Sequence, residues 1–167
     1  LPKSKSTQQV YDFVRHRPTE SGIIYVQSRK SAESLATALR QEGVKALPYH
    51  AGLQPEERAA NQEAFIRDEV NVVCATIAFG MGINKPDIRL VVHYNLPGTL
   101  EAYYQEAGRA GRDGDPARCV LLFSYQDRVL QEFFIDKIGQ ERDGEARRVV
   151  DEKLVEKLQK RATEKLD

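Results

Sequence analysis

Short apolar runs alternate with longer segments of helical periodicity through most of this chain of 167 residues. The runs are rich in Val, Ile and Leu and nearly continuous in apolar character, as strands covered on both faces are. Such alternation is typical of successive βαβ units, which build a parallel sheet with helices on both faces. We therefore predict an α/β fold whose strands are Ile23–Gln27, Ala46–Tyr49, Val72–Thr76, Leu90–Tyr94 and Val120–Ser124.

Helix signals fill the gaps between these runs. Ser31, Pro55 and Thr99 are residue types that favour helix N-termini, and each opens a segment of helical pattern. A further helix precedes the first strand and closes before Pro18, which cannot continue it. The predicted helices cover residues 7–16, 31–40 and 55–67, and another starts after Thr99.

Length and composition fit a single domain with an appendage. A chain of this size with 41% hydrophobic residues can bury one core. Lys and Arg total 25 and Asp and Glu total 25, so the net charge of zero gives no global electrostatic case for a nucleic-acid partner. Any surface that binds nucleic acid must therefore be local. We place the domain at residues 1–138 and a charged tail at 139–167.

The cysteines bear on metal binding and on compartment. Cys74 and Cys119 lie inside apolar runs without a neighbouring Cys or His pair, which argues against a zinc site and a disulfide scaffold. Both are expected to be buried strand residues. No apolar run approaches the length that spans a bilayer, and the first residues do not resemble a signal peptide. We therefore expect a cytoplasmic protein with no membrane partner.

The last part of the chain changes character. A mixed helix is predicted near residues 126–138, and a highly charged stretch follows in which apolar residues recur every fourth position. That period predicts a long amphipathic helix. Its apolar stripe either packs on its own domain or a neighbouring copy, or is covered by a following module. The stripe consists of Val150, Leu154, Leu158, Ala162 and Leu166.

The segment QEAGRAGR, which begins at Gln105, places one amide and two guanidiniums at helical spacing. On a continuous helix Gln105, Arg109 and Arg112 fall within about a 60° sector, so all three can face one ligand. Two stacked arginines suit a polyphosphate, because they fork onto phosphate oxygens and offset the charge of a departing γ-phosphate. With Glu106 and Asp113 close by, a solvated salt-bridge face is an equal alternative on spacing alone.

Blocks of this sequence resemble motifs of superfamily-two helicases in unbroken order. The block after the third strand, ATIAFGMGINKP, and the arginine block, YYQEAGRAGRDG, are similar to the fifth and sixth motifs of RecQ-type DNA helicases. GIIYVQSR at the first strand resembles the fourth motif, and YHAGL at the second strand resembles the segment between the fourth and the fifth. The resemblance covers about residues 20 to 135.

This resemblance implies a RecA-like three-layer sandwich with a mostly parallel sheet of about five or six strands. It also implies that this domain serves as the second lobe of a two-lobe motor. ATP would bind in the cleft between the lobes, with its Mg²⁺ held mainly by the first lobe. This sequence contains neither a Gly-rich loop ending in Gly-Lys-Ser/Thr nor an Asp-Glu pair after an apolar strand. Alone it is expected to be inactive, whereas the whole protein would translocate 3′ to 5′ and unwind DNA.

The resemblance also implies roles near the nucleotide. Arg112 matches the last arginine of the sixth motif and is the expected finger on the γ-phosphate, assisted by Arg109. Gln105 either orients Arg109 or bridges to the opposite lobe, with a plain surface position as the alternative. Gly82 and Asn84 lie at the end of the fifth motif, where the chain approaches the nucleotide. Asn84 replaces the aspartate of DEAD-box relatives, which puts a ribose contact in doubt.

DNA contacts are expected at the carboxyl ends of the strands, where open α/β sheets place their ligands. Ser28 and Arg29 follow the first strand. With Ser31 opening a helix, they can offer a hydroxyl, a guanidinium and free backbone N–H groups to one phosphate. We predict a phosphate clamp there.

Two further loops are expected at the same edge. His50 and Gly52 follow the second strand, where a glycine lets the backbone approach nucleic acid; an ordinary hydrogen-bonded loop role is the alternative for His50. Thr76 and Gly80 follow the third strand and suit the phosphodiester backbone rather than base edges. Phe79 is either a base-stacking residue or, on the safer interpretation, a buried aromatic plug.

These blocks favour the second motor lobe of a RecQ-type DNA helicase. The equivalent lobe of an RNA-directed helicase is an alternative, which GMGIN in place of the DEAD-box pattern R-G-I-D disfavours. A non-catalytic nucleic-acid-binding or interaction module is the third. Expected partners are single-stranded or partly duplex DNA, the N-terminal RecA-like lobe of the same protein and a following zinc or winged-helix module. The expected location is the bacterial nucleoid or the eukaryotic nucleus.

Overall fold

The computed structural model of the chain describes residues 1–76, 79, 83–129 and 132. Over these residues helices and strands alternate, as the sequence predicts, except that no helix is described between β3 and β4. In chain order the elements are α1 (Ser6–Val14), β1 (Ser21–Tyr25), α2 (Arg29–Gln41), β2 (Ala46–Tyr49), α3 (Pro55–Ile66), β3 (Val72–Ala75), β4 (Ile88–His93), α4 (Leu100–Ala107) and β5 (Arg118–Leu121).

The strands form one parallel sheet in the order β2-β3-β1-β4-β5, which places β1 at its centre. The parallel sheet is confirmed, but β1, β4 and β5 each begin two residues earlier than predicted, and every strand except β2 ends earlier than predicted. Pairing with a neighbour, rather than apolar character, sets these starts: Ser21 pairs with Ile88, and Leu90 pairs with the exposed Arg118.

Helices cover both faces of the sheet, so the three-layer α/β fold is confirmed. α1 and α2 pack on the face that carries Ile24 and Cys74. The opposite face carries Ile23 and Val73, which pack with Phe65 of α3. Successive strand residues point to opposite faces, and that period separates the two clusters.

The caps of the helices agree with the sequence at α3 and α4 and differ at α2. The Ala102 N–H donates to Thr99 Oγ1 at 3.0 Å, and Pro55 lies in the first turn of α3. The cap of α2 is Ser28 rather than Ser31, because the Ser31 N–H donates to Ser28 Oγ at 3.1 Å. Ser28 has the extended backbone that an N-cap needs, whereas Ser31 is already helical.

Both cysteines lie in strands. Cys74 is fully buried in β3, as predicted, and burial raises the pKa of its thiol. Cys119 lies in β5 and is only partly buried, with its Sγ 3.6 Å from the carbonyl oxygen of Ala107. Neither forms a disulfide.

Some predictions fall outside the described residues: the domain boundary at 138, the tail at 139–167, Gly80 and Gly82. Residues 125–129 are helical, in agreement with the start of the helix predicted near 126–138. Within the described ranges, no helix is both long enough and apolar enough to cross a membrane. The same ranges contain no group of three or more His, Cys, Asp or Glu side chains that could hold a metal ion.

Candidate nucleotide and nucleic-acid site

All five described strands end side by side at one edge of the sheet. Tyr25 at the end of β1 pairs with Ala75 and with His93, and Tyr49 at the end of β2 pairs with Ala75. The segments that follow these strands therefore start at the same edge. This is the arrangement in which loops of a parallel sheet share a ligand.

The arginine segment is not a continuous helix. α4 ends at Ala107, and Gly108 follows as its cap. Arg109 and Arg112 therefore lie in the turns after α4, while Gln105 stays exposed on α4 itself. The prediction that the three side chains share one helical face is wrong, because the glycines end the helix rather than thin its wall.

The chain then turns toward the start of β4. Gly111 has a φ of 62°, in the left-handed region that glycine occupies without steric cost. Its N–H donates to the carbonyl of Ile88 at 2.9 Å. The Asp113 N–H donates to the carbonyl of Pro86 at 3.1 Å. The arginine turn is thus fixed to the segment that leads into β4, close in sequence to the exposed Asn84.

The acidic neighbours of the two arginines are paired elsewhere. Glu106 Oε2 lies 2.8 Å from His93 Nε2 in a buried pair. Asp113 bonds to Arg89, and that hydrogen bond holds the pKa of the Asp113 carboxyl below its usual range. Among the described residues no carboxylate forms an ion pair with either arginine of the turn. The solvated salt-bridge face therefore does not describe this turn.

The two arginines differ in exposure. Arg112 is exposed, and its Nε donates to the carbonyl of Gly108 at 3.1 Å. Arg109 is partly buried, and its Nε is buried without a hydrogen-bond partner in the described part of the chain. Arg112 is thus held from one side and open on the other, whereas Arg109 is set into the domain surface.

A buried tyrosine that the sequence analysis missed lies beside Arg109. The Tyr25 ring stacks on the ring of His93, with centroids 5.5 Å apart and planes at 20°. Its hydroxyl donates to the carbonyl of Phe79 at 3.4 Å. Burial raises the pKa of Tyr25 to about 12, and the positive charge of Arg109 offsets part of that rise. The signal in the sequence is a polar aromatic residue at the end of an otherwise apolar strand.

At the end of β1 the predicted phosphate clamp is only partly available. Ser28 Oγ donates to Ser31 Oγ at 2.9 Å and accepts the Ser31 N–H at 3.1 Å. The hydroxyl and one of the N–H groups assigned to a phosphate are therefore used within the cap of α2. Arg29 is exposed in the first turn of α2 and keeps its guanidinium for a ligand.

His50 supports the loop after β2 from within. Its side chain is 4% exposed, and its Nε2 lies 2.8 Å from Glu33 Oε1. The Gly52 N–H donates to His50 Nδ1 at 3.1 Å. With both ring nitrogens engaged, a direct contact between His50 and DNA does not fit this geometry.

Gly52 leaves room for a side chain rather than for nucleic acid. A Cβ added there would lie 3.0 Å from Arg29 Cδ and 3.1 Å from Arg29 Nη1. The side chain of Arg29 thus crosses the glycine. The prediction that this glycine admits the DNA backbone is corrected: its contribution is to let Arg29 lie against the loop.

The segment after β3 begins with a turn. The Thr76 N–H donates to the carbonyl of Tyr49 at 3.1 Å, and the Phe79 N–H donates to the carbonyl of Thr76 at 3.0 Å. Thr76 is partly buried. Phe79 is 1% exposed and lies 4.6 Å from Tyr49 between ring centroids, which confirms the buried-plug interpretation.

A second missed residue anchors the segment before β4. The side chain of Lys85 is 3% exposed, and its Nζ lies 2.7 Å from Asp68 Oδ1 and 3.2 Å from Asp87 Oδ1. Ser21 Oγ also donates to Asp68 at 3.2 Å. Lys85 therefore ties the chain that precedes β4 to the start of β1. A lone lysine beside a proline gives no periodic signal from which this burial could be predicted.

Comparison with known proteins agrees with these features. Residues 5–114 match the helicase conserved C-terminal domain family. The chain is similar to the ATP-dependent DNA helicase RecQ of Pasteurella multocida, with 53% identity over 82% of this chain and 22% of that protein. It is 50% identical to the RecQ-like DNA helicase BLM of Xenopus laevis, over 83% of this chain and 10% of that protein. The chain thus spans about a tenth to a fifth of the length of these relatives.

Solved structures show the same fold. The E. coli DEAD-box protein SrmB, bound to regulator of ribonuclease activity A, is similar with a TM-score of 0.66 and 23% identity, over 81% of this chain and 78% of that one. A DEAD box protein from Methanococcus jannaschii is similar with a TM-score of 0.67 and 21% identity, over 81% of this chain and 37% of that one. At these identities the likeness is one of fold alone, a RecA-like α/β lobe.

Proposed function

This chain belongs to the helicase conserved C-terminal domain family, as a domain of the RecQ type, and we propose that it is the second motor lobe of an ATP-dependent DNA helicase. ATP binds between this lobe and an N-terminal RecA-like lobe of the same protein. This lobe supplies the arginine finger and contacts to the backbone of single-stranded DNA. Hydrolysis opens the cleft and moves these contacts relative to the first lobe, in steps directed 3′ to 5′.

The observation that carries the proposal is the state of the arginine turn. Glu106 and Asp113 flank the two arginines in sequence, and both are bonded to other residues. Arg112 is exposed and forms no ion pair with a described carboxylate, so its charge is available to a ligand from outside this domain. A guanidinium forks onto phosphate oxygens and stabilises charge that develops on a transferred phosphoryl group. Arg112 is the proposed finger, and Arg109 is its partner.

The remaining site residues divide between the two ligands. Asn84 is exposed two residues before Pro86, whose carbonyl accepts the Asp113 N–H, and with Gln105 it is proposed to face the nucleotide. Arg29 and Thr76 are proposed to contact DNA phosphates at the carboxyl edge of the sheet, and Ser28 and His50 to position those loops. Such backbone contacts hold a strand without reading its sequence.

The nucleotide needs Mg²⁺, and the described residues do not fit that ion. No acidic cluster among them could hold it, and the sequence has no Gly-Lys-Ser/Thr loop for the phosphates. We therefore propose that the first lobe holds Mg²⁺ and most of ATP, and that this chain alone does not hydrolyse ATP. In the cell the assembled protein would act on chromosomal DNA.

The test uses the protein that contains both lobes. Arg112→Ala should lower ATP hydrolysis in the presence of single-stranded DNA by at least about 100-fold while leaving the Kd for DNA within a few-fold. Arg67→Ala is the matched control, because Arg67 lies in an exposed pair with Glu63 on α3. Equal activity of Arg112→Ala and wild type would remove the finger assignment.

The nucleic acid added to the assay separates the alternatives. Stimulation by single-stranded DNA but not by RNA supports the proposal. Stimulation by RNA alone would point to an RNA-directed motor, and a two-lobe protein that hydrolyses no ATP under either condition would be a binding module.

A further inference from the structure

The hydroxyl of Tyr25 lies between the two groups of residues that the proposed function separates. On one side it donates to the carbonyl of Phe79 at 3.4 Å. The Phe79 N–H in turn donates to the carbonyl of Thr76 at 3.0 Å. The hydroxyl is therefore bonded to the same short turn that begins with the proposed DNA contact Thr76.

Arg109 lies close to the same tyrosine. The backbone N–H of Arg109 donates to the carbonyl of Glu106 at 3.3 Å, and the Glu106 side chain holds His93, on which the Tyr25 ring stacks. Among the charges that act on Tyr25, that of Arg109 has the largest effect on its pKa, ahead of Glu106 and Arg112. The buried Nε of Arg109 has no hydrogen-bond partner in the described residues. Burial keeps the Tyr25 phenol protonated at neutral pH, with a pKa raised to about 12. Because the phenol donates its proton to the carbonyl of Phe79, its oxygen can accept only from a donor such as the Arg109 guanidinium.

The ring of Tyr25 is held independently of its hydroxyl. Tyr25 is 4% exposed in the core, and its ring stacks on His93. His93 is held in turn by Glu106 at 2.8 Å. Removing the hydroxyl oxygen alone should therefore leave the ring in place and cut only the contacts to the turn and to the arginine.

Resting on the proposed function, we infer that Tyr25 is a positioning residue that couples the DNA-binding turn at Thr76 to Arg109. A strand bound at Thr76 shifts the carbonyl of Phe79, and the Tyr25 hydroxyl follows it. The side of the hydroxyl that faces Arg109 then moves, which changes the orientation of the guanidinium beside the finger. The residue touches neither ligand, and its effect is a coupling free energy between their two sites.

The experiment compares Tyr25→Phe with Tyr49→Phe in the full-length protein. Tyr49 ends the neighbouring strand β2, is equally a buried phenol of the same cluster, and donates its hydroxyl to Gln62 Oε1 at 3.3 Å instead. ATP hydrolysis is measured with and without single-stranded DNA, together with the KM for ATP and the Kd for DNA. Tyr25→Phe should lose about 10-fold in the stimulation of kcat by DNA. Its unstimulated rate, KM and Kd should match wild type, and Tyr49→Phe should match wild type throughout.

Other outcomes overturn the inference. A Tyr25→Phe protein stimulated within about twofold of wild type shows that the hydroxyl carries no coupling. If Tyr25→Phe and Tyr49→Phe lose the stimulation by DNA equally, the cause is core packing. If Tyr25→Phe also loses affinity for DNA, the cause is DNA binding. If DNA does not stimulate ATP hydrolysis by the wild-type protein, both the proposed function and the coupling are wrong. If DNA stimulates wild type and Tyr25→Phe equally, only the coupling is wrong.

Discussion

The guanidinium of Arg89 joins the start of β4 to the turn that carries Arg112 through an ion pair with Asp113. Arg89 also donates through Nη1 to the carbonyl of Pro116 at 3.0 Å and through Nε to the carbonyl of Asp87 at 3.1 Å. One side chain thus bridges both sides of the turn. The position of the proposed finger depends on a residue that does not itself face the nucleotide.

Replacement of Arg89 tests this dependence. Arg89→Ala should lower the DNA-stimulated kcat of the two-lobe protein by up to about 100-fold, because a small displacement of a catalytic group is enough for such a loss. The Kd for single-stranded DNA should not change, since the loops at the carboxyl edge are untouched. Asp113→Asn should lower kcat in the same direction, whereas Arg67→Ala, which breaks an exposed pair on α3, should not. A kcat at the wild-type level in both Arg89→Ala and Asp113→Asn would show that the backbone alone fixes the turn.

Gly111 gives a prediction about the backbone of the same turn. Its φ of 62° disfavours any side chain, and an added Cβ would lie 2.8 Å from the carbonyl oxygen of Asp115. Gly111→Ala should therefore lower the free energy of unfolding by more than the roughly 1–2 kcal/mol of a left-handed alanine, and should lower kcat. Urea unfolding and ATP hydrolysis measure the two effects.

Alanine variants of two other glycines distinguish the cost of the left-handed backbone from the cost of the steric clash. Gly114 has a φ of 89° but no atom of the described residues within 4 Å of an added Cβ, so Gly114→Ala should show the conformational cost alone. Gly98 has neither feature and should tolerate alanine. Equal stability of the Gly111 and Gly114 variants would mean that the contact with Asp115 relaxes without cost.

Arg29 is the proposed phosphate contact after β1, and Gly52, after β2, gives its side chain room. Arg29→Ala should weaken binding of single-stranded DNA and reduce the slope of log K against log salt by about 0.7, the value of one phosphate contact. Gly52→Ala should act in the same direction but less, because its Cβ would displace the flexible Arg29 side chain from 3.0 Å. Titrations at several salt concentrations measure both. An unchanged slope in Arg29→Ala would remove Arg29 from the interface.

The sequence predicted those features that local pattern determines. Continuous apolar runs such as that of β3 identify buried parallel strands, and Thr99 and Pro55 mark helix starts, because each signal lies within a few residues of its effect. Where two signals compete, the pattern does not decide. From the sequence, Ser28 and Ser31 are equivalent as caps, and only the extended backbone of Ser28 distinguishes them. The spacing from Gln105 to Arg109 likewise fits a helix, but Gly108 ends the helix.

Contacts between distant residues could not be predicted in this way. Tyr25 and Phe79 are 54 positions apart, and Arg89 and Asp113 are 24 apart. The roles of His50 and Gly52 changed for the same reason, since Glu33 and Arg29 reach them from α2. Such pairs arise from the order of strands in the sheet, which no single segment of the sequence specifies.

The pair of Lys85 and Asp68 predicts a dependence of stability on pH. The hydrogen bond from Lys85 is the main reason that the pKa of Asp68 is lowered. A carboxyl whose pKa is lower in the folded state contributes stability above its unfolded pKa of about 3.9 and loses it as the pH falls through the folded value. The free energy of unfolding of this chain should therefore exceed that of Lys85→Met by a margin that is constant at neutral pH and shrinks below about pH 4.

The solvent exposure of the side chains sets the size of this pH effect and the choice of the control variant. The side chain of Asp68 is 57% exposed, so solvent screens the pair and the change with pH should be small. The lowered pKa of Asp113 is common to both proteins and cancels in the comparison. Lys45→Met, at an exposed lysine, should differ from wild type by an amount that does not vary with pH. Urea unfolding at pH 7 and at pH values below 4 measures these differences in the free energy of unfolding. A difference between wild type and Lys85→Met that stays constant over the acid range would contradict the prediction. It would mean that Asp68 titrates alike with and without its lysine.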